Sequence, residues 1–211
     1  MCLIRMDGGC VSAPPLANVE RFVLVLEGQV SVTRPDGPNS ERGATHTFGA
    51  NDYLFFPADL PHELHCDGTQ SAVLLVYEQK YRPPPSGDAC PRPQFQSGCV
   101  DDQPTVDPGA PEVFGLRKLL PMDLEYDFNV HVMDFAPGQY LHCNELHYNQ
   151  HGMMMLEGQG VYRLGANAWY HVRAGDAIYM APFVPQWYAA LEPGRTRYVL
   201  YKDTHRDPLQ P

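Results

Sequence analysis

Apolar residues along the chain come in short runs cut by turn residues, and several runs alternate apolar with polar positions. The clearest are "RFVLVLEGQVSVT" (21–33), "DYLFFP" (52–57), "SAVLLVYEQ" (71–79), "NVHVMDFAP" (129–137), "HGMMMLEGQGVYRL" (151–164), "DAIYMAP" (176–182) and "TRYVLYKD" (196–203). Runs of this length, rich in Val, Tyr and Phe and bounded by Gly, Pro, Asn or Asp, predict β-strands. One stretch, "PEVFGLRKLLP" (111–121), could form a short helix between its two prolines. The expectation is an all-β chain.

The pattern also repeats. "FVLVLEGQVSV" (22–32) parallels "GMMMLEGQGVY" (152–162), and "NDYLFFPADLPHE" (51–63) parallels "GDAIYMAPFVPQW" (175–187). In the second pair an Asp is followed nine residues later by a Pro, then by His62 in one copy and Gln186 in the other. The same elements in the same order twice predict a duplicated β domain. Residues 79–111, dense in Pro, Gly and Asp, read as the connection. The division expected is 1–80, a linker over 81–112, and 113–211.

Composition narrows the function classes. The 211 residues are 44% hydrophobic, and 21 prolines with 18 glycines favour turns over long helices. A formal charge of −10 and the lack of a basic stripe argue against a nucleic-acid partner. The longest apolar runs are too short to cross a bilayer as helices, so no membrane partner is expected. The six cysteines show no C-x-x-C pair; reduced thiols are the simplest reading, with Cys90–Cys99 the one candidate bridge. "MCLIRMDGGC" at the start has no secretory pattern, which points to a cytoplasmic location.

Candidate chemistry concentrates in "ELHYNQHGMMMLEGQG" (145–160). Alternation along a strand would put Cys143, Glu145 and His147 on one face, with His151 returning to it after a bend. Two imidazoles and a carboxylate, with Gln186 as a fourth donor, make a mixed nitrogen–oxygen set suited to a divalent first-row metal. Carboxylate and carbonyl donors tilt it toward Mn²⁺; structural zinc would more often use thiolates. In "RYVLYKD", Tyr198 and Lys202 share a face and could both look inward, where a Lys needs an anionic partner. Met153, Met154, Met155, Leu156 and Trp187 read as packing, and His171 and His205 as surface residues. Arg21 stands where His151 stands in the second repeat. His62, with His65 nearby, is all that remains at a ligand position of the first.

Glu145-x-His147-x-x-x-His151, then Gly158, has the spacing of the first cupin motif with Glu and His exchanged, and Gln186 falls at the second-motif position. Residues 119–208 resemble the catalytic half of the (S)-ureidoglycine aminohydrolase family, through "ELHYNQHGMMMLEGQGVYRLG", "AGDAIYMAPFVPQWYAAL" and "RYVLYKDTHRDP". The resemblance implies a bicupin of two double-stranded β-helix (jelly-roll) barrels. It implies Mn²⁺ held by Glu145, His147, His151 and Gln186, and substrate contacts at Glu145, Tyr162, Tyr198 and Lys202, with Lys202 also catalytic. The implied reaction releases ammonia from (S)-ureidoglycine to give (S)-ureidoglycolate, in a homo-oligomer acting on a small ureido substrate. Two competing readings are an iron-dependent cupin dioxygenase and a non-catalytic metal- or ligand-binding bicupin. Family members carry a longer N-terminal region, so the first cupin is expected to be shortened. A missing targeting segment would then leave an endoplasmic-reticulum location open.

Overall fold

Every strand run quoted above folds as a strand in the computed structural model, which describes residues 1–34, 45–84, 90–107 and 109–207. Strands follow one another as β1 (Cys2–Met6), β2 (Val19–Glu27), β3 (Gln29–Thr33), β4 (Thr45–Gly49), β5 (Asp52–Phe56), β6 (Glu63–His65), β7 (Ala72–Lys80) and β8 (Gln96–Cys99). The second half continues with β9 (Gly115–Lys118), β10 (Phe128–Phe135), β11 (His151–Glu157), β12 (Gln159–Leu164), β13 (Ala168–Arg173), β14 (Ala177–Met180), β15 (Gln186–Ala190) and β16 (Thr196–Asp203). Among the described residues there is no helix, so none is long and apolar enough to cross a membrane. "PEVFGLRKLLP" forms the strand β9 rather than a helix, because pairing with β10 satisfies its backbone (His131↔Lys118 to Asp134↔Gly115).

The described residues divide into two units: 1–83 with 90–102, and 84 with 103–107 and 109–207. The stretch 81–112, read from its composition as a linker, carries β8, which pairs with β5 in the first unit. All six cysteines are free, so Cys90 and Cys99 form no bridge.

Each unit has a five-stranded and a three-stranded antiparallel sheet. Their orders are β1-β7-β2-β5-β8 with β4-β3-β6, and β14-β11-β16-β10-β9 with β13-β12-β15. The same places bear the same strain. In both copies the Leu-Glu-Gly-Gln turn shifts register, between Val25 and Glu27 and between Met155 and Glu157. Gly28 (φ 74°) and Gly158 (φ 75°) both adopt left-handed backbone, and a Cβ on either would lie 2.4 Å from a carbonyl oxygen of the opposite strand. Only glycine tolerates both conditions.

Alternation then sorts the side chains. In the second unit Met133, Phe135, Leu141, Met153, Met155, Tyr162, Tyr188, Tyr198 and Leu200 turn inward and form one buried cluster, with Leu116 and Trp187 packed against it. In the first unit Val23, Val25, Val30, Val32, Leu54, Phe56, Leu64, Leu74 and Val76 do the same. Two sheets closing over such an apolar filling make a jelly-roll barrel, and residues at the end of each inward row line its mouth.

Candidate functional site

The mouth of the second barrel is polar. His151 opens β11 and is 4% exposed; its cross-strand partners are Met180 on β14 and Lys202 on β16. Directly paired residues project from the same face of a sheet, so His151 and Lys202 face the interior together. Glu145 and His147 come from a loop over 142–150 and not from the continuous strand that alternation suggested. The loop is fastened at one point, where Glu145 and Gln186 exchange backbone hydrogen bonds of 2.8 and 3.0 Å. A second bond, from Phe183 N–H to the His147 carbonyl (2.8 Å), holds its far end. Cys143, expected on the ligand face, is exposed.

Side chains converge on the Gln186 carboxamide, which is 2% exposed. Its Nε2 lies 3.0 Å from His147 Nε2 and 3.4 Å from Glu145 Oε2, while Tyr162 donates its hydroxyl to Oε1 at 3.3 Å. The His147 and His151 rings meet edge to face with centroids 4.5 Å apart. His147 Nδ1 is 3.1 Å from the Asn149 carbonyl, which fixes that nitrogen as the N–H and leaves Nε2 facing Gln186. Tyr198 packs between Phe135 and Tyr188, with centroids at 5.6 and 5.4 Å, and is 2% exposed. Thus Glu145, His147 and Tyr162 each contact Gln186, His151 touches His147, and Lys202 stands opposite His151.

Burial sets the charges here. It pushes the Glu145 carboxyl up, with Lys202 opposing and Glu112 adding. It pulls His147 down and His151 to about 2, each helped by Lys202, so both imidazoles are neutral and able to donate a lone pair. The Lys202 ammonium is lowered by burial, against the pull of Glu145 and with Lys118 adding repulsion. Tyr162 and Tyr198 are raised by burial and remain hydroxyl donors.

Two observations bear on whether a divalent metal fits. His151 Nδ1 is buried with no hydrogen-bond partner, an expensive state that a lone-pair acceptor would relieve. The donors are neutral imidazole, carboxylate and carboxamide, a set suited to a first-row ion, with His147 oriented by its Nδ1 contact to the Asn149 carbonyl. As the side chains stand, no three His, Cys, Asp or Glu among the described residues converge tightly enough for a metal, and the Gln186 amide nitrogen lies within reach of both Glu145 and His147. A half-turn of that carboxamide exchanges its nitrogen and oxygen ends. The residue types therefore fit the ion.

Sequence reasoning did not single out His131 or Lys118. His131 is pulled down to about 3 by burial and by Lys202 and Lys118. The signal was available: His131 sits two residues before the inward Met133 in an alternating run. Lys118 lay hidden in the stretch read as a helix.

The corresponding place in the first unit holds an ion pair. Arg21 pairs in register with Phe56 and Glu78, as His151 pairs with Met180 and Lys202. Arg21 Nε donates to Glu78 Oε1 at 2.6 Å and its Nη1 is 3.0 Å from His62 Nε2. His62 is 4% exposed, stacked on Phe56 and pulled down to about 4 by burial. His65 is apart from it, on β6 beside Glu63. A guanidinium thus occupies the place of the metal-competent imidazole.

Comparison with known proteins agrees with this architecture. The cupin domain family matches residues 2–78. The chain is 48% identical over 210 residues to "Probable (S)-ureidoglycine aminohydrolase" of Oryza sativa subsp. japonica, covering 99% of this chain and 63% of the relative. It is 46% identical to "(S)-ureidoglycine aminohydrolase" of Arabidopsis thaliana, covering 99% and 65%. The chain thus spans a little under two thirds of these relatives. Among solved structures, protein Ylba of E. coli superposes with a TM-score of 0.76 at 25% identity, over 97% of this chain and 76% of that one. The fold is a bicupin, all-β, with two jelly-roll units.

Proposed function

We propose that the second unit is a metal-dependent hydrolase that releases ammonia from (S)-ureidoglycine and yields (S)-ureidoglycolate. The observation that carries this reading is the convergence of Glu145, His147 and Gln186 beside His151, at a barrel mouth that also presents Tyr162 and Lys202. The identity of 46–48% to proteins named for this activity supports the substrate.

Glu145, His147, His151 and Gln186 would hold the ion, with Mn²⁺ favoured by the carboxylate and carboxamide donors. When bound, the ion would supply Lewis-acid polarisation of the substrate. The protein's own residues do the rest. The loop 142–150, pinned by the Glu145–Gln186 backbone pair, fixes the donors before substrate arrives, so orientation is built into the fold. Tyr162 and Tyr198 stay protonated and can donate to the ureido oxygen. Lys202, facing Glu145 and His151, pairs with the substrate or carries a proton toward the departing amine. The bulk of Met153, Met155 and Tyr188 below keeps water from the buried side of the site.

Replacing His147 or Glu145 by Ala tests the reading. Both variants should lose bound metal by elemental analysis and ammonia release by coupled assay together, with the β fold retained. Full turnover in a variant stripped of metal would refute it.

A further inference from the structure

The interior of the second barrel is layered, and the layer at its mouth is cationic on one side. Four inward rows turn from apolar to polar toward the same end, β9 and β10 one step deeper than β16 and β11. On β9 Leu116 gives way to Lys118, on β10 Met133 to His131, on β16 Leu200 to Lys202, and on β11 Met153 to His151. Register fixes this: Leu116 opposes Met133 and Lys118 opposes His131, while Leu200 opposes Met153 and Lys202 opposes His151. His131 and Lys202 are diagonal neighbours across β10 and β16, since His131 pairs with Leu200 and Asn129 with Lys202. Diagonal partners lie within reach of long side chains.

Neither lysine has a carboxylate at ion-pair distance among the described residues, and Lys118 acts on both Lys202 and His131 by charge repulsion. His131 Nε2 is buried with no hydrogen-bond partner. Glu145 attracts Lys202 from beyond ion-pair distance, but Lys118 and Lys202, on the two strands that flank β10, place two half-buried ammonium groups on either side of an unsatisfied imidazole. An anion seated among them would give both lysines a counter-charge and the His131 N–H an acceptor. Ordinary core packing explains none of the three, because the next inward residues deeper in the barrel, Leu116, Met133 and Leu200, are apolar.

We infer that Lys118, His131 and Lys202 form an anion-binding wall that seats the carboxylate of a small substrate, with Lys118 making that negative charge a requirement. Resting on the ureidoglycine reading, the wall orients the substrate: its carboxylate lies toward β9 and β10 and its amine and ureido groups toward Glu145, Gln186 and Tyr162. Lys118 and His131 are then positioning and specificity residues, and an uncharged analogue of the same size is rejected.

The test is calorimetric binding to the full chain purified from manganese-supplemented cells. The probes are (S)-ureidoglycolate, its uncharged carboxamide and oxalate. The unaltered chain should prefer the acid to the carboxamide by tenfold or more, equivalent to about 1.4 kcal/mol. K118M should bind the acid at least tenfold more weakly and the carboxamide unchanged, with K118R restoring affinity to within about threefold and metal content constant throughout. H131Q should weaken the acid selectively. Equal affinity of K118M and the unaltered chain for the acid, or no preference for acid over carboxamide, overturns the wall and leaves the ureidoglycine reading standing. Oxalate bound in a Lys118-dependent way without any binding of ureidoglycolate keeps the wall and removes that reading. If the unaltered chain binds neither anion, both fall.

Discussion

Gly152 ties the packing of the second barrel to its chemistry, and an alanine there has a calculable effect. The residue follows His151 on β11 and pairs across to Tyr201 on β16, the neighbour of Lys202. A Cβ at this position would lie 2.1 Å from Tyr201 Cε1, 2.5 Å from Cζ and 2.6 Å from the hydroxyl oxygen. Ordinary contact needs about 3.5 Å or more, so ring or strand must retreat by roughly an ångström. Overpacking of this kind costs about 1–3 kcal/mol, or roughly 3–10 °C in Tm for a chain of this size. Strand retreat carries Lys202 away from His151. A displacement near 1 Å in a positioned group lowers turnover by up to about 100-fold. G152A should therefore lose stability and ammonia release while still binding metal, because His151 precedes the altered residue and keeps its pairing to Met180. Removing the ring should rescue it: in G152A/Y201A the added methyl has room, and the coupling between the two sites should exceed about 1 kcal/mol in a double-mutant cycle. G152A with unaltered Tm and unaltered kcat would refute the steric argument, as would strict additivity of the two substitutions.

In the first unit, R21M leaves Glu78 and His62 without their shared partner; with Glu78 partly exposed, the loss should be about 1–3 kcal/mol by urea denaturation, and metal binding in the second unit should not change. Acid should destabilise both units in metal-free protein. His62 and His131 are neutral in the fold to about pH 4 and 3 but take up a proton near pH 6.5 when unfolded, so the unfolded state binds more protons between those values and stability falls as pH is lowered. Each contributes a slope of up to about 1.4 kcal/mol per pH unit below pH 6; denaturation midpoints at pH 7, 6 and 5 measure it, and H62Q or H131Q should flatten the curve.

Much of this could be read from residue order, for identifiable reasons. Strands such as β7 and β16 are long and apolar on the inward face, so periodicity exposed them, and the shared Leu-Glu-Gly-Gln turn exposed the duplication. β4, β8, β13 and β15 were not singled out: "QSGC" has little strand propensity of its own, and "THTFG" and "AWYHVR" lack a clean apolar–polar alternation, so the ladder each joins decides. At the site, spacing brought Glu145, His147, His151 and Gln186 to notice, but not how they meet. Their meeting depends on the backbone pair Glu145–Gln186, a contact across 41 residues that no local pattern encodes. The same limit hid Lys118 and His131, whose inward direction follows from register. The ion pair Arg21–Glu78 was half visible: Arg21 was seen to replace a histidine, while Glu78 was not seen to face it.

The proposed reaction is metal-dependent hydrolysis of a carbon–nitrogen bond. Ammonia and (S)-ureidoglycolate formed from (S)-ureidoglycine, followed together by NMR under anaerobic conditions on metal-loaded protein, test it most directly. One ammonia per ureidoglycolate is expected, at a rate proportional to metal content and independent of oxygen. Metal-loaded, folded protein that releases no ammonia, or a reaction that proceeds only with oxygen, would contradict it.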